Sequence, residues 1–337
     1  MKRLTVGSMF AGIGGIDIGF EQAGFKVKWA NEFNTKSCET FRNYENFRDI
    51  KLFEKDVHDL KTCEVESVDI ITSGFPCQAF SVAGYRQGFD DEKGRGNLFF
   101  ETARFINDLK PKAYLLENVR NLAGHDNGKT LEVIKYNLVD KLGYSFIPFI
   151  LNSKDYGNIP QTRERIYIVG FRNEADIDYD YDKKELNSES ATRSFEIPDP
   201  IPLEKNIHDC IYHKKQDEKY YYKKEHQYYP ILESEMKRRD TIYQWRRVYV
   251  RENKSNLCPT LTANMGAGGH NVPLIIDDYG IRKLTPKECL NFQGYPENYH
   301  FPEKMANSHS YMQAGNSVVI PVIKRIANAI REALNAQ

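Results

Sequence analysis

The first half of the chain alternates between two patterns of hydrophobic residues. Apolar and β-branched runs, typical of strands, occur at RLTVGSMF, KVKWANE, SVDIITSG, AYLLENV and RIYIVGFR. Segments whose apolar residues recur every three or four positions, typical of helices, lie among them at GGIDIGFEQAG, NTKSCETFRNY, LFFETARFINDL and TLEVIKYNLVDKLG. Alternating strands and helices predict an α/β fold with a doubly wound, mostly parallel sheet. Ligands of such a sheet bind beyond the carboxyl ends of its strands.

Single residues mark the ends of the predicted helices. Gly24 is expected to end the first helix and Gly143 the fourth, because glycine adopts the backbone conformation that closes a helix. Asn34 precedes the second helix and is a suitable N-cap residue.

The character of the chain changes after Arg172. Residues 174–189 are rich in Asp, Glu, Lys and Asn, which predicts a surface linker or the edge of an insertion. Residues 208–254 are rich in Tyr, Lys and Arg, and the glycine-rich NMGAGGHN follows them. The last stretch, SVVIPVIKRIANAIREAL, predicts an amphipathic helix whose apolar stripe is formed by Val319, Val322, Ile323, Ile326 and Ile330.

The composition limits the classes of protein that fit. The 337 residues suggest about two domains, and 47 basic residues balance 47 acidic ones. A nucleic-acid partner would therefore need a local basic face. No apolar run approaches the roughly 18–20 residues that span a bilayer, and no basic leader with an apolar core is found, so we expect an intracellular protein without a membrane partner. The six cysteines are scattered without a C-x-x-C pair, which favours neither a metal site nor disulfides.

The segment FAGIGG follows the first predicted strand and suits a tight turn that lies close to a ligand. It departs from the dinucleotide fingerprint G-x-G-x-x-G, because Asp17 occupies the third glycine position counted from Gly12. An adenosine-type ligand still fits. Glu32 ends the second strand, where it could bind two ribose hydroxyls, and Asp56 could accept a hydrogen bond from an adenine amino group. An ordinary glycine-rich turn with two surface acids is the alternative interpretation.

Cys77 stands between Pro76 and Gln78, at the end of an apolar run. The thiolate is the nucleophilic form of cysteine, and a loop before a helix N-terminus lowers the thiol pKa by presenting backbone N–H groups. Pro76 stiffens the approach by fixing φ. The alternative is a small buried hydrophobic residue, which is what most lone cysteines are.

Glu117 lies in AYLLENV, at the end of an apolar strand, where an unpaired carboxylate is costly to bury. Burial would raise its pKa and let it hold or donate a proton. Gln161, Arg163 and Arg165 in QTRER could partner it, and strand alternation puts both arginines on one face. A carboxylate satisfied by a structural partner, and a basic edge strand with solvated side chains, are the alternatives.

Together these segments resemble the cytosine-C5 DNA methyltransferase family over nearly the whole chain. The matching motifs, in the order of the family, are MFAGIGG, NEF, GFPCQAFSVAG, LLENV, QTRERIYIVG, RKLTPKECLNFQGYP and QAGNSVVIPV. The resemblance implies a Rossmann-like, S-adenosylmethionine-dependent methyltransferase fold with a smaller, irregular target-recognition domain. It implies a bacterial type II restriction–modification enzyme that methylates C5 of cytosine in a short sequence of double-stranded DNA and releases S-adenosylhomocysteine.

The same resemblance assigns roles to the residues of the reaction. A thiolate that adds to C6 of cytosine makes C5 nucleophilic, and an acid near N3 stabilises the charge that this addition creates. Cys77 is then the nucleophile and Glu117 the partner of N3. Arg165 contacts the base and Glu117, and Arg163 supports the cysteine loop. The target cytosine should be flipped out, because C6 is unreachable inside the stacked duplex.

The resemblance also assigns the cofactor pocket and the domains. S-adenosylmethionine is expected to contact Phe10, Gly12, Ile13, Gly14, Glu32, Phe33, Asp56, Val57, Pro76, Leu98, Asn316 and Val318. Because the last two lie near the C-terminus, the final helix should fold back onto the N-terminal sheet. The predicted catalytic domain comprises residues 1–172 plus 310–337, and the predicted target-recognition domain comprises residues 173–309.

Candidate DNA contacts come from two regions. The loop after the cysteine should close over DNA and contact phosphates or bases through Ser81, Arg86 and Arg95. Arginine can bind guanine through two hydrogen bonds, so YQWRRVYVREN and PTLTANMGAGGHN provide the candidate base readers Arg246, Arg247, Arg251, Thr260 and Gly268. Gly266, Gly268 and Gly269 would let the backbone approach the duplex. The stretch 243–271 resembles the corresponding segments of enzymes that read GGNCC or GGWCC sites. The alternative interpretation is a solvated basic face with an irregular loop.

Three other functions compete with this interpretation. A transfer-RNA cytosine-C5 methyltransferase would share the fold, but its relatives usually show Pro-Pro-Cys where this chain has Phe75-Pro76-Cys77. A catalytically inactive DNA-binding relative is disfavoured by the presence of all the reactive residues, and a dinucleotide oxidoreductase is disfavoured by Asp17. The family further implies a bacterial or phage-encoded monomer, cytoplasmic and associated with the nucleoid. It would protect host DNA from a restriction endonuclease acting on the same site.

Overall fold

The structure is a computed structural model. The model describes residues 3–76, 98–172, 179–180, 185–186, 195–246, 248–268 and 271–335. Within these ranges no helix is long and apolar enough to cross a membrane. In the same ranges there is no group of three or more His, Cys, Asp or Glu side chains arranged to hold a metal ion.

A seven-stranded sheet in the order β3-β2-β1-β4-β5-β7-β6 forms the centre of the molecule. Its strands are β1 Thr5–Met9, β2 Lys26–Glu32, β3 Lys51–Glu54, β4 Ile70–Ser73, β5 Ala113–Val119, β6 Ile147–Asn152 and β7 Glu164–Phe171. The first five are parallel, whereas β7 runs antiparallel to both β5 and β6. The predicted α/β fold with a mostly parallel sheet is therefore confirmed, and β6 is an additional strand at the edge.

Helices cover both faces of this sheet, as the alternating pattern predicts. They are α1 Gly15–Gln22, α2 Thr35–Asn43, α3 Leu98–Leu109, α4 Lys129–Tyr136, α5 Ser153–Tyr156 and α9 Ile320–Asn335. Neighbouring residues on one strand enter different cores. In β4, Ile70 packs with the core under α1 and α9, whereas Ile71 packs with the core under α3. The strands are thus buried on both faces, which is why they read as continuous apolar runs.

The predicted helix ends agree with the structure. The Asn34 side chain accepts a hydrogen bond from the Ser37 N–H and caps α2. Gly24 and Gly143 adopt φ of 90° and 72°, the left-handed conformation expected after a helix. The fourth helix is shorter than predicted, because residues 137–141 form a π-helical turn before the chain reaches Gly143.

The last helix folds back onto the first, as predicted. A Cβ atom added to Gly19 of α1 would lie 2.5 Å from the Ile323 side chain of α9, so only glycine permits this close contact. Arg331 of α9 donates a hydrogen bond to the carbonyl of Ala23 at the end of α1. The C-terminal segment therefore completes the layer that begins with α1.

A second sheet is formed by strands that lie between β7 and α9 in the sequence. It has four antiparallel strands in the order β11-β10-β12-β13. Its strands are β10 Tyr243–Arg246, β11 Tyr249–Glu252, β12 Leu274–Asp277 and β13 Gly280–Lys283, and it has its own core of Leu232, Met236, Tyr243, Val250, Leu274 and Ile281. The described part of this half also contains β8 Tyr179–Asp180, β9 Glu185–Leu186, α6 Tyr229–Glu235, α7 Pro286–Asn291 and α8 Asn307–Asn316. The predicted smaller domain thus includes a regular sheet.

The chain returns to the large core earlier than residue 310. Leu290 of α7 and Tyr299 are fully buried in the same core as α1. The Tyr299 hydroxyl donates to the carbonyl of Ile13 at 2.6 Å. Residues near 284–300, which the sequence prediction assigns to the recognition domain, thus share one buried core with α1, as do Ile207, Ile242 and Met265.

Candidate active site

The carboxyl ends of four neighbouring strands form one edge of the large sheet. Met9 of β1 pairs with Asn31 of β2 on one side and with Ser73 of β4 on the other, and Ser73 pairs with Leu116 of β5. The residues that follow these pairs therefore lie side by side. They are the glycine turn after β1, Glu32, the loop that leads to Cys77, and Glu117.

Glu117 and Arg165 form an ion pair at this edge. The Arg165 Nε lies 3.1 Å from Oε1 of Glu117, and the two side chains are 13% and 12% exposed. The antiparallel register creates the contact, because Arg165 on β7 pairs with Val119 on β5, two residues from Glu117. Burial raises the pKa of the Glu117 carboxyl above its ordinary value, although the charges of Arg165 and Arg163 act in the opposite direction. The carboxyl is thus nearly enclosed and biased towards holding a proton.

The loop after β4 passes directly beside this carboxyl. A Cβ atom added to Gly74 would lie 3.8 Å from Oε2 of Glu117, so one added carbon atom would bring the loop into contact with the acid. The Asn118 side chain donates to the carbonyl of Phe75 at 2.8 Å and holds the loop there. Pro76 is exposed and is the last residue described before the gap, and Cys77 lies outside the described residues.

Sequence reasoning missed Asn118, although a signal was present. A carboxamide directly after the candidate acid, at the end of a buried strand, has few partners except the neighbouring strand-end loop. The Asn118 Oδ1 also accepts from the Val119 N–H at 2.8 Å, so the side chain is fixed at both ends.

Arg163 is buried, and its described partners differ from the predicted one. Its guanidinium donates to the carbonyls of Leu261, at 2.6 Å, of Gly315, at 3.1 Å, and of Ser317. Burial lowers the pKa of Arg163, and the nearby Arg165 charge acts in the same direction. Arg163 therefore joins the start of β7 to two distant segments. The cysteine loop, which it was predicted to support, lies beyond Pro76 outside the described residues.

The glycine turn after β1 is built around three residues with positive φ. Phe10, Gly12 and Gly14 have φ of 54°, 57° and 81°. The Gly12 N–H donates to Oε2 of Glu32 at 2.9 Å, which ties the turn to the end of β2. A Cβ atom added to Gly12 would meet nothing within 4 Å, so the space above the turn is open. The turn is thus shaped for a ligand that lies against the backbone.

Of the acids predicted to bind the cofactor, Glu32 borders this turn, and Asp56 follows β3, the neighbour of β2 in the sheet. Glu32 accepts through Oε1 from the N–H groups of Phe33 and Asn34, and burial raises its pKa although these backbone bonds oppose the shift. Asp56 accepts through Oδ1 from the N–H and Nδ1 of His58, and the hydrogen bond from the His58 N–H is the main cause of its lowered pKa.

Phe33 is 67% exposed, which is unusual for an aromatic ring at a strand end. An open glycine turn, an uncovered ring and two acids fit an adenosine-type cofactor such as S-adenosylmethionine, because its adenine would cover the ring and its ribose hydroxyls can donate to a carboxylate.

The other predicted cofactor residues differ in exposure. The side chains of Ile13, Val57 and Val318 are buried, and Leu98 is half-buried at the first position of α3. Asn316 is exposed at the last position of α8, and Pro76 is exposed at the end of the described loop. The fold brings these positions from both ends of the chain to the same half of the molecule.

Asp17 is fully buried beneath the glycine turn, in the first turn of α1. Neither of its carboxyl oxygens has a hydrogen-bond partner within bonding geometry, and the hydroxyls of Ser8 and Thr72 are likewise buried without one. Burial raises the pKa of Asp17 to about 7; the nearby Ser8 hydroxyl, although outside good hydrogen-bond geometry, opposes this shift, and the Glu21 carboxyl adds to it. The residue that breaks the dinucleotide fingerprint is therefore a buried acid that holds its proton to near-neutral pH.

Two of the candidate base readers lie on the second sheet. Arg246 and Arg251 are exposed on the β10–β11 hairpin, whereas Arg247 lies outside the described residues, as do Ser81, Arg86 and Arg95. The Thr260 hydroxyl donates to the carbonyl of Thr162 at 2.6 Å.

The glycines that follow have different surroundings. Gly266 packs against the backbone of α8, where an added Cβ would lie 2.4 Å from the Ser308 carbonyl oxygen. Gly268 has φ of 75°, and Gly269 lies outside the described residues.

Comparisons with known proteins show the family and the fold of the chain. The family model described as C-5 cytosine-specific DNA methylase matches residues 4–332. Type II methyltransferase M.Bsp6I of Bacillus sp. (strain RFL6) is 52% identical over 98% of this chain and 99% of its own length. Type II methyltransferase M.HhaI of Haemophilus parahaemolyticus is 35% identical over 97% of this chain and 94% of its own. In fold, the chain is similar to a mutant of Spodoptera frugiperda DNMT2, with a TM-score of 0.70, 19% identity, and coverage of 98% and 99% of the two chains.

Proposed function

Because the chain belongs to the C-5 cytosine-specific DNA methylase family, we propose that it methylates a flipped-out cytosine by using Cys77 as a nucleophile. The family makes it a DNA (cytosine-5-)-methyltransferase, and its relatives are type II enzymes. The observation that supports the mechanism is the enclosed Glu117 carboxyl, which lies beside Gly74 in the loop that leads to Cys77.

The proposed chemistry follows from this proximity. The Cys77 thiolate adds to C6 of the cytosine, and the electron pair of the C5–C6 bond moves towards N3 and C5. Glu117, whose pKa is raised by burial, donates a proton or a hydrogen bond at N3 and stabilises the charge that the addition creates. Arg165 holds Glu117 through their ion pair and can also contact the base. Once C5 carries the methyl group that the cofactor would supply, a base takes the C5 proton, the electron pair of that C–H bond expels the thiolate, and N3 returns its proton to Glu117, which restores the aromatic ring.

S-adenosylmethionine is the proposed cofactor. The residues that would hold it are the glycine turn with Phe10 and Gly12, the carboxylates of Glu32 and Asp56, and the exposed ring of Phe33. When bound, it supplies an electrophilic methyl group. The chain itself provides the open space over Gly12 and the fixed position of Glu32, whose three accepted backbone bonds keep the carboxylate in place.

DNA recognition is proposed to come from the second sheet. Arg246 and Arg251 are exposed there, and the recognised sequence is proposed to be of the GGNCC or GGWCC type. Flipping of the target cytosine out of the duplex would bring C6 to the cysteine loop. A monomer that protects host DNA from a restriction endonuclease with the same site is the proposed biological role, supported by the type II relatives.

Substitution of Cys77 tests the mechanism. Cys77→Ser is expected to abolish methyl transfer to duplex DNA while DNA binding persists, because serine is a far weaker nucleophile at neutral pH. The exposed Cys63→Ser is the matched control and should leave activity unchanged. DNA that carries 5-fluorocytosine should trap the wild-type enzyme covalently, since fluorine does not leave as a proton does. Full activity of Cys77→Ser, or the absence of an adduct on a mapped target site, would refute the nucleophile.

The substrate class needs its own measurement. Methyl transfer from labelled cofactor should be seen with duplex DNA and not with transfer RNA. Transfer to RNA alone would overturn the proposed substrate while leaving the proposed chemistry intact.

A further inference from the structure

The β10–β11 hairpin contains a side chain that binds two of the candidate base readers at once. The carboxamide Oε1 of Gln244 accepts a hydrogen bond from Nη2 of Arg246 at 2.9 Å and from Nη2 of Arg251 at 2.8 Å. The sheet geometry creates this contact. Arg246 lies two residues beyond Gln244 on the same face of β10, and Arg251 is the direct cross-strand neighbour of Gln244 on β11.

Gln244 is 8% exposed, whereas the two arginines are exposed. The amide is therefore enclosed by the hairpin and cannot readily reach a base itself, but it fixes where both guanidinium groups lie. Two arginine side chains that would otherwise lose much rotamer entropy on binding are already held in one arrangement.

The charge of this pair is uncompensated among the described residues. Arg238 binds Asp240 and Glu252, and Arg239 binds Asp278, so other arginines of this region have carboxylate partners. Within the described ranges, neither Arg246 nor Arg251 has one. Two cations held close together by a neutral amide repel each other, and this repulsion is relieved when they meet acceptor atoms of a ligand.

The position of the pair favours base edges over phosphates. A two-stranded β-ribbon fits the major groove of DNA, and guanine presents the acceptors O6 and N7 there. Val248 and Tyr249, at the tip of the same hairpin, are 80% and 55% exposed, as expected for apolar side chains that contact base edges or thymine methyl groups. Bidentate reading of guanine O6 and N7 requires a guanidinium held in one orientation, and phosphate contacts carry no sequence information directly.

We propose that Gln244 is a specificity-determining positioning residue, which holds Arg246 and Arg251 as a preset pair that reads guanines in the major groove. The inference rests on the proposed DNA methyltransferase function and names how that function selects its sequence. Each guanidinium uses one N–H for Gln244 and keeps enough donors for a bidentate contact.

Two substitutions of Gln244 separate orientation from charge. Gln244→Leu removes the shared acceptor and frees both arginines without changing their charge. Gln244→Glu keeps an acceptor for both but lowers the net charge of the cluster by one. Arg239→Gln, which lies in the same region and touches neither Gln244 nor the pair, is the control.

The experiment is a map of methylated cytosines in plasmid DNA from a host that lacks its own cytosine methylation. The wild-type protein and the Arg239→Gln control should methylate one short motif. For each protein, methylation at sites in which one guanine of the motif is replaced is divided by methylation at the motif itself. This ratio should be at least tenfold higher for Gln244→Leu than for the wild type. In binding assays with the purified full chain, the DNA affinity of Gln244→Leu should depend on salt as that of the wild type does, because the number of cations is unchanged.

Gln244→Glu should show the opposite combination. Its motif should remain strict, while binding weakens and depends less on salt. It also carries the test if Gln244→Leu does not fold, since relaxed specificity in a folded Gln244→Glu protein would contradict the proposal.

The outcomes distinguish this inference from the function on which it rests. An unchanged motif in folded Gln244→Leu would overturn the inference alone, and so would a loss of binding with a smaller salt dependence, which would indicate phosphate contacts. The absence of cytosine methylation by the wild-type protein would overturn both.

Discussion

Asn118 donates a hydrogen bond of 2.8 Å to the main-chain carbonyl of Phe75, two residues before the predicted nucleophile. The neighbouring residue on the same strand, Glu117, is the predicted acid. A single strand end therefore carries the acid and also holds the loop that leads to Cys77. Because these two functions share one rigid strand, the distance between the acid and the loop is set by β5.

Asn118→Ala is expected to reduce kcat by roughly 10- to 100-fold, because the loop loses the bond that sets its position. It should also lower the free energy of unfolding by about 1–2 kcal/mol. Asn137→Ala is the matched control, since Asn137 is also buried and donates to the Val133 carbonyl at 2.8 Å, but far from the site. Steady-state kinetics and urea denaturation of both variants distinguish an effect on catalysis from an effect on stability. Equal losses of kcat would mean that Asn118 acts through stability only.

Glu117→Gln is expected to reduce kcat by about 10²–10⁴-fold, in the range of general acid catalysis. Because burial raises the pKa of Glu117, its protonated form persists to higher pH than that of an ordinary glutamate. The wild-type rate should therefore fall as pH rises through this pKa, and the residual rate of Glu117→Gln should lack that decline. Glu164→Gln, an exposed neighbour paired with Arg120, is the control for charge removal. A pH–rate profile of the same shape in wild type and Glu117→Gln would exclude this role.

Asp17→Asn is expected to change the pH dependence of stability. The pKa of Asp17 is about 7 in the folded protein against an ordinary value of 3.8, so its contribution is fully present below about pH 4 and is lost as pH rises through 7. At pH 8 the variant should be more stable than the wild type by up to about 4 kcal/mol, and at pH 4 the gain should vanish. Thermal or urea unfolding from pH 4 to 8 measures this difference.

Asp69→Asn provides a control of opposite sign. Burial raises the Asp69 pKa, but hydrogen bonds from Thr5 and Lys112 outweigh it and lower the value below the ordinary one. The stability that this carboxylate contributes should be lost as pH falls, so Asp69→Asn should be destabilising near neutral pH and less so in acid. A gain for Asp17→Asn that does not vary with pH would contradict the buried, protonated carboxyl.

Arg163→Met is expected to lower the free energy of unfolding by roughly 3 kcal/mol or more, because three buried carbonyls lose their donor. Arg325→Met is the comparison, since Arg325 also donates to two carbonyls, of Tyr156 and Asp199, but nearer the surface. Arg325→Met should lower the free energy of unfolding by about 1 kcal/mol, because water can replace the hydrogen bonds of this side chain. Urea denaturation measures both, and a small effect at Arg163 would mean that the three segments are held by packing alone.

Much of the fold follows from local patterns. The boundaries of KVKWANE and LFFETARFINDL agree with β2 and α3, and the Asn34 cap forms as its sequence position predicts. These features depend on neighbours within a few residues, through backbone hydrogen bonds and the burial of one face. β6 was not predicted, because Pro148 lies within it and its exposed residues alternate with buried ones at the edge of the sheet.

The sequence by itself determined the order of strands and helices, the motifs at the strand ends and the chemistry that those residue types can perform. Only the tertiary structure decided which distant groups meet. Arg163 binds a carbonyl 98 residues away, Gly266 packs against α8, and Gln244 binds two arginines of the β10–β11 hairpin. Each of these contacts depends on how separate elements pack. The spacing of hydrophobic residues and the residue types specify which face of an element is buried. Which other element packs against that face is determined only when all the elements pack around a common core.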